Sequence, residues 1–421
     1  MIKAIFRKNN ILLLYLIIIG ELVFSLPFHV SRFFRPSLIE EYNYTNTMLG
    51  LAFSIYGITA LLSYLPGGYI ADRISPKYLL FWSLLLTSLG GIFFLLNPSF
   101  IGLCIIYGYW GITTILFFWA ALIKSTRNIA GYHQGVSFGA LEAGRGLVAS
   151  FCASVAVIIY TNDSLINLIN NLFLKKISSL SVVIFYYSII TFFSALMILF
   201  FFKDSKDSKI KTKKIDYNTV FKNIKPILYI SLIVLGAYSG YKGIDYYSYY
   251  FYEILNYSKE KSALIITNLS YLRPVSALLA GIIADKISSR KTTLLLFILM
   301  LFSYSFLSLI NFDAQLVYFL YTNFIISMVA VFSLRGIFYS LLQEAGLPVN
   351  ITGLSVGIIS FIGYMPDIFI GPIFGFFLDQ NNGIQSFHAC FIFLLSTVVI
   401  SLLSSILLIK IKRNNNSSFN N

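Results

Sequence analysis

Eight ionisable side chains stand inside long apolar runs of this chain: Glu21, Glu142, Arg145, Lys242, Asp245, Arg273, Arg335 and Asp367. A charge at the middle of a bilayer costs about 2.5–3.5 kcal/mol on insertion scales, so such residues mark solute or ion pathways. Glu142 and Arg145 are three apart and share a helical face; Lys242 and Asp245 repeat the spacing. If each couple pairs locally, Arg273 and Arg335 are left to meet a ligand, and their planar forks suit a carboxylate or phosphate. Glu21 and Asp367 are left as carboxylates able to carry a proton. Tyr339 lies four residues after Arg335, on the same face. The chemistry expected is reversible binding of a small organic anion by Arg145, Lys242, Arg273, Arg335 and Tyr339. Proton coupling would fall to Glu21, Glu142, Asp245 and Asp367, or the anion would be exchanged for another. The plainer reading is that all eight charges pair internally and only hold helices together.

The elements that must position these residues follow from composition. Of the 421 residues, 57% are hydrophobic and 11% charged, and the mean hydropathy is +0.79. Soluble domains carry roughly 25% charged residues, so part of this chain's solvent must be lipid. A membrane helix needs about 20 mostly apolar residues. Twelve such runs are expected near 10–34, 46–70, 78–97, 99–123, 134–160, 180–202, 225–252, 262–284, 292–311, 314–343, 352–378 and 385–409. The first run follows Lys3, Arg7 and Lys8 as a signal peptide would, but it is long and carries Glu21 at its centre. It is read as a span. An even count puts both termini on one side, and the excess of Lys and Arg on that side makes it the cytoplasm. This distribution also accounts for the net charge of +14 without a nucleic-acid partner. The tract KDSKDSKIKTKK, Lys203–Lys214, reads as a flexible linker within 203–224 that can rest on anionic lipid headgroups. It separates a half at 1–202 from a half at 225–421. Cys104, Cys152 and Cys390 fall in apolar spans, and neither metal spacing nor a nucleotide-binding or catalytic motif occurs. No enzyme activity and no cofactor are therefore expected.

The two halves echo one another. GYIADRIS begins at Gly68 and GIIADKIS at Gly281, with Arg73 replaced by Lys286. GVSFG at Gly135 and GLSVG at Gly353 recur at nearly the same offset, each opening a span, which points to an internal duplication. Gly68 and Gly281 are expected to let a neighbouring helix approach closely. The GxxxG pairs Gly135/Gly139, Gly353/Gly357 and Gly371/Gly375 are expected to pack helices.

The segment Gly68–Lys77 resembles the loop signature of the major facilitator superfamily between its second and third spans. Gly281–Lys291 resembles the weaker copy between the eighth and ninth. Ser75 and Pro76 depart from the family's usual Gly and Arg. The resemblance implies an all-α membrane protein of twelve helices in two pseudo-symmetric six-helix bundles, working as a monomer in a bacterial inner membrane. It implies alternating access to a ligand held near the midplane. It also implies a gate latch at Gly68, Asp72, Arg73, Gly281, Asp285 and Lys286. Glu344, at the same membrane surface, is expected to pair with Lys124 or Arg127. Spans 1, 4, 7 and 10, flanked by 2, 5, 8 and 11, usually line the pathway in this superfamily, and all eight core charges fall on those spans. The fifth span reads GALEAGRGLVAS, without the Gly-Pro signature of the drug–proton antiporters. Lys242, Gly243 and Asp245 loosely resemble span 7 of the organophosphate exchangers, and the tyrosines of YKGIDYYSYYFYE serve there either as pathway lining or as an interfacial belt. An amino-acid transporter, whose substrate carboxylate also needs an arginine, and a non-transporting sensor on the same fold are the alternatives.

Overall fold

The apolar runs fold as helices because nothing else satisfies the backbone in hydrocarbon. The computed structural model describes residues 10–130, 134–173, 177–202, 217–311, 316–348, 351–380 and 383–411. Among these residues every regular element is helical. Span 1 is a bent pair, Leu12–Leu22 and Ser25–Phe33. Spans 2 to 6 are Asn46–Tyr64, Pro76–Phe94, Phe100–Thr126, Ala140–Thr161 and Ser179–Phe201. Spans 7 to 12 are Ile224–Glu253, Lys259–Lys286, Ser289–Leu309, Val317–Glu344, Ser355–Leu378 and Ile384–Lys410. Leu62, Phe200, Phe302 and Leu309 are all exposed, as side chains facing lipid rather than water should be. Most of the basic linker, residues 203–216, lies outside the described residues; Tyr217–Lys222 is a short helix.

The first run is not the straight helix its hydropathy suggests. It bends by 42° where Pro27 removes a backbone donor, and Ser25–His29 winds as a π-helix. The Leu22 carbonyl at the break accepts from Ser25 Oγ at 2.7 Å and Thr191 Oγ1 at 3.3 Å. Hydroxyls thus replace the lost ladder bond. The bend sets Glu21 at the end of one helix and His29 at the end of the next turn, facing each other.

Two compact units emerge. The first comprises Met1–Lys206, Asp245–Pro274 and Asp367–Asp379; the second comprises Asp207–Ile244, Val275–Pro366 and Gln380–Asn421. Three spans pass from one unit to the other, each beside an irregularity. Span 7 has a 3-10 turn at Ile244–Tyr246, span 8 a break at Tyr271 shortly before Pro274, and span 11 a turn at Tyr364 and Met365 before Pro366. In the first unit Leu16, Leu80, Leu84, Phe118, Leu122 and Ile198 are fully buried together around span 1.

Candidate functional site

Glu21 is the centre of a buried ion cluster in the first unit. Its Oε1 accepts from Arg273 Nη1 at 3.1 Å and faces His29 Nε2 at 3.2 Å. Its Oε2 lies 3.1 Å from Arg145 Nε, an ionic contact outside hydrogen-bond geometry. Arg145 Nη1 donates to Glu142 Oε1 at 2.6 Å, and Arg273 Nη2 stands 3.7 Å from Glu142 Oε2. Two guanidiniums thus share two carboxylates, with Glu21 and both arginines buried and Glu142 partly open. The expected Glu142–Arg145 couple forms. Arg273 was expected to be left over, but Glu21 holds it, because the bend in span 1 presents the carboxylate to span 8. Gly144 and Gly146 make room for this. A Cβ at Gly146 would fall 3.1 Å from Arg273 Cγ, and one at Gly144 would fall 2.6 Å from Ile17 Cγ2.

A second pair sits at the far end of span 1. Arg32 Nε donates to Asp245 Oδ1 at 2.5 Å, both side chains being buried. Ser248 Oγ donates to the Arg32 carbonyl at 2.8 Å. Asp245, expected to pair with Lys242 three residues before it, lies in the 3-10 turn Ile244–Tyr246 and meets Arg32 from span 1. Three residues on, Arg35 is completely buried, with Nε donating to Asn46 Oδ1 at 2.9 Å and its guanidinium 3.9 Å above the Tyr246 ring.

Around these pairs backbone meets backbone. Cβ atoms at Gly371 and Gly375 would fall 2.6 Å from the Gly50 carbonyl oxygen and 2.5 Å from Thr47 Cα, so the Gly371/Gly375 pair packs span 11 on span 2 as its spacing suggests. One turn deeper, a Cβ at Gly57 would meet the Asp367 carbonyl carbon at 2.8 Å, which places Asp367 against span 2. The Asp379 carboxylate accepts from the backbone N–H groups of Asn46 at 2.9 Å and Thr47 at 2.7 Å, at the N-terminus of the span 2 helix. Burial would raise its pKa, but these bonds and the Thr47 side chain hold it below the ordinary carboxylate range. Glu40 accepts from Lys259 Nζ at 2.5 Å and from the Tyr252 hydroxyl. Its pKa too is lowered, the two partners outweighing partial burial.

The second unit answers with aromatic rings. The Arg335 guanidinium lies 3.7 Å over Tyr241 and 5.7 Å from Tyr238. Tyr238 packs edge-on against Tyr364 at 4.8 Å, and the Tyr339 hydroxyl stands 3.1 Å from that of Tyr364 and 3.2 Å from Ser360 Oγ. Spans 7, 10 and 11 thus bring Arg335 and Tyr339 into one polar aromatic cluster. Lys242 is buried on the same turn of span 7 as Tyr241.

Comparison with known proteins fits this architecture. The family model for the Major Facilitator Superfamily matches residues 17–369. The chain belongs to the major facilitator superfamily. It is 26% identical to inner membrane protein YihN of Escherichia coli K12, over 95% of this chain and 96% of that protein. It is 26% identical to inner membrane protein YqcE of the same organism, over 88% and 87%. Among solved structures, a bacterial homologue of the human lysosomal transporter Spinster, inward-facing and occupied, superposes with a TM-score of 0.74 at 14% identity, covering 96% of this chain and 97% of its own. A D-xylose–proton symporter gives 0.67 at 16% identity, covering 97% and 98%. Family and fold make the chain a multi-pass membrane transporter rather than an enzyme.

The superfamily's loop residues stand apart from the ion clusters. A Cβ at Gly68 or Gly281 would meet nothing within 4 Å, so neither glycine serves a close helix approach here. Its neighbour Gly67 does, with the Leu116 carbonyl oxygen 2.8 Å from a Cβ. Arg73 is exposed and stacks 3.6 Å over Tyr69. Asp285 and Lys286 are exposed, and among the described residues neither forms an ion pair. The Asp72 and Arg127 side chains and the Gly135/Gly139 pair lie outside what the structure describes. Gly357 also faces open space. Glu344 was expected to reach Lys124 or Arg127. Instead it caps span 9, accepting from Ser289 N at 2.5 Å, Ser288 Oγ at 2.9 Å and Arg290 N at 3.1 Å. Lys124 Nζ donates to the Ala71 carbonyl at 2.6 Å. The sequence named His29 or Arg32 as the nearest basic residue of span 1 without giving it a role, and Arg35 and Asp379 were passed over. The three-residue spacing of Arg32 and Arg35 was a usable signal, hidden by placing both at a span boundary.

Proposed function

We propose that this protein is a secondary active transporter of a small organic oxyanion, driven by protons or by exchange for a second anion. The observation that carries the reading is Arg335 lying on the face of Tyr241, beside the Tyr238, Tyr364 and Tyr339 cluster. Stacking engages a guanidinium's face, and its N–H donors lie in the plane, the geometry that grips a carboxylate or phosphoryl group. Arg335, Tyr339 and Lys242 bind the solute; Arg145 and Arg273 assist through the Glu21 cluster. Glu21 and Glu142 carry the coupled proton, since protonating either carboxylate frees an arginine to meet the anion. Asp245 and Asp367 serve the same exchange at the contacts of spans 7 and 11. The loop residues Gly68, Asp72, Arg73, Gly281, Asp285, Lys286 and Glu344 gate the opposite membrane face.

In this reading six-span halves at 1–202 and 225–421 move about the linker 203–224, as alternating access requires. The protein is a monomer in a bacterial inner membrane with both termini cytoplasmic, solvated by lipid. The test is counterflow in proteoliposomes loaded with unlabelled organic acids and given the labelled acid outside. Accumulation lost in Arg335→Ala supports the reading. Accumulation of neutral sugars alone, or no exchange with any solute, overturns it.

A further inference from the structure

Among the described residues the first unit holds four buried arginines, and three of them meet a carboxylate: Arg32 meets Asp245, while Arg145 and Arg273 share Glu21 and Glu142. Arg35 differs. It is 0% exposed, and among the described residues no carboxylate forms an ion pair with it. Its Nε is committed to Asn46 Oδ1, and its face to the Tyr246 ring. Nη1 and Nη2 are both buried without a hydrogen-bond partner. A guanidinium never sheds its charge in a protein, so this position carries a full positive charge and N–H donors at two nitrogens with no acceptor. Such a group persists in a fold when something outside the chain completes it.

We propose that Arg35 is an oxyanion-binding site, a station on the solute path distinct from the Arg335 cluster, that receives a carboxylate or phosphoryl group end-on at Nη1 and Nη2. This rests on the anion reading above. The geometry is pre-set. Asn46 fixes the roll of the guanidinium through Nε, and Tyr246 fixes its plane, so the two terminal nitrogens are left as a fork matched to two oxygens. Tyr107 from span 4 and Tyr249 from span 7 lie within electrostatic reach of the charge; Asp245 lies within reach of Tyr107, and Glu253 and Asp379 within reach of Tyr249, and among the described residues none of these acids forms an ion pair with Arg35. Asn46 and Tyr246 each belong also to the contacts that bury the site. Asn46 N–H is bound by Asp379, and the Tyr246 hydroxyl donates to the Gly371 carbonyl at 3.4 Å. Access to Arg35 is therefore tied to parting span 11 from span 2.

The test uses the full-length protein in nanodiscs, titrated with inorganic phosphate, lactate, gluconate and, as an uncharged comparison, glucose. Thermal midpoint and calorimetric affinity are both read, and uptake of any bound anion is followed in proteoliposomes. The expected result is that at least one anion binds, that Arg35→Gln weakens it tenfold or more and raises KM more than it lowers maximal uptake, and that Arg35→Lys falls between. The ligand-free thermal midpoint of Arg35→Gln should equal or exceed that of the native protein, because an uncompensated buried charge has been removed. Phosphate binding alone assigns a phosphoryl ligand, and lactate or gluconate binding alone a carboxylate. If the native protein binds an anion and both Arg35 variants bind it equally well, the Arg35 site is overturned while the transport reading stands. A lowered ligand-free midpoint with unchanged affinity shows a purely structural arginine and overturns the site. If Arg35→Gln does not fold, Arg35→Lys decides, since unchanged affinity in a variant that keeps the charge but loses the fork overturns it. Binding of none of the three anions overturns the anion reading and this site together.

Discussion

The two units hold the arginines of their spans differently, the first among buried carboxylates and the second, at the half-buried Arg335, among aromatic rings. In the first, Arg32, Arg145 and Arg273 each face a carboxylate within 3.1 Å. In the second, Arg335 lies on a tyrosine ring within a ladder of phenolic hydroxyls. An ion pair buried at this depth is rigid, because removing one partner strands the other. A stacked arginine is cheaper to disturb, since a cation–π contact is worth about 0.5–2 kcal/mol. The contrast separates arginines held by carboxylates from an arginine held on aromatic rings.

The largest effect that would sharpen this contrast is expected at Glu21. Glu21→Gln removes the carboxylate that Arg145 and Arg273 both meet, and thermal unfolding in detergent should record a loss of about 3–5 kcal/mol. A loss below about 1 kcal/mol would break the comparison. Gly50→Ala comes next. Its Cβ is driven into the Gly371 backbone, and strain of about 1–3 kcal/mol is expected. Cysteine labelling near Asn46 should become faster if spans 2 and 11 are pushed apart.

Arg335→Ala should leave the ligand-free midpoint within about 2 kcal/mol of native. It should weaken a bound organic anion tenfold or more, about 1.4 kcal/mol. Asp379→Asn should cost about 0.5–1 kcal/mol through the helix terminus. Asp379 and Glu40 both have lowered pKa values in the folded protein. Their contribution is therefore fully present above the unfolded carboxylate value near 4 and is lost as pH falls through the folded values. A melting series from pH 6 to pH 3 should show less acid sensitivity in Asp379→Asn than in the native protein. The smallest effect belongs to Gly281→Ala, which meets open space and should shift stability by less than about 0.5 kcal/mol.

Much of the fold could be read before any coordinates. The apolar runs foretold twelve spans, and the structure has eleven long helices and a bent pair for the first, because hydrocarbon permits no other backbone arrangement. The paired octapeptides pointed to the superfamily. Glu142 and Arg145 declared their contact through i,i+3 spacing, which a helix enforces locally. Lys242 and Asp245 carry the same spacing, but the contact of Asp245 with Arg32 across 213 positions was not legible in it.

Sequence by itself determined that this chain lives in lipid, how many times it crosses, and which residues would be charged inside, since all three depend on side-chain solvation and local helix period. Which charge meets which was decided by tertiary structure alone. The bend at Pro27 aims Glu21 at Arg273 in span 8, Gly50 and Gly371 admit a backbone contact across hundreds of residues, and Arg35 ends up buried with two nitrogens unanswered. Those outcomes depend on the meeting of distant helices, whose distances and angles no local pattern encodes.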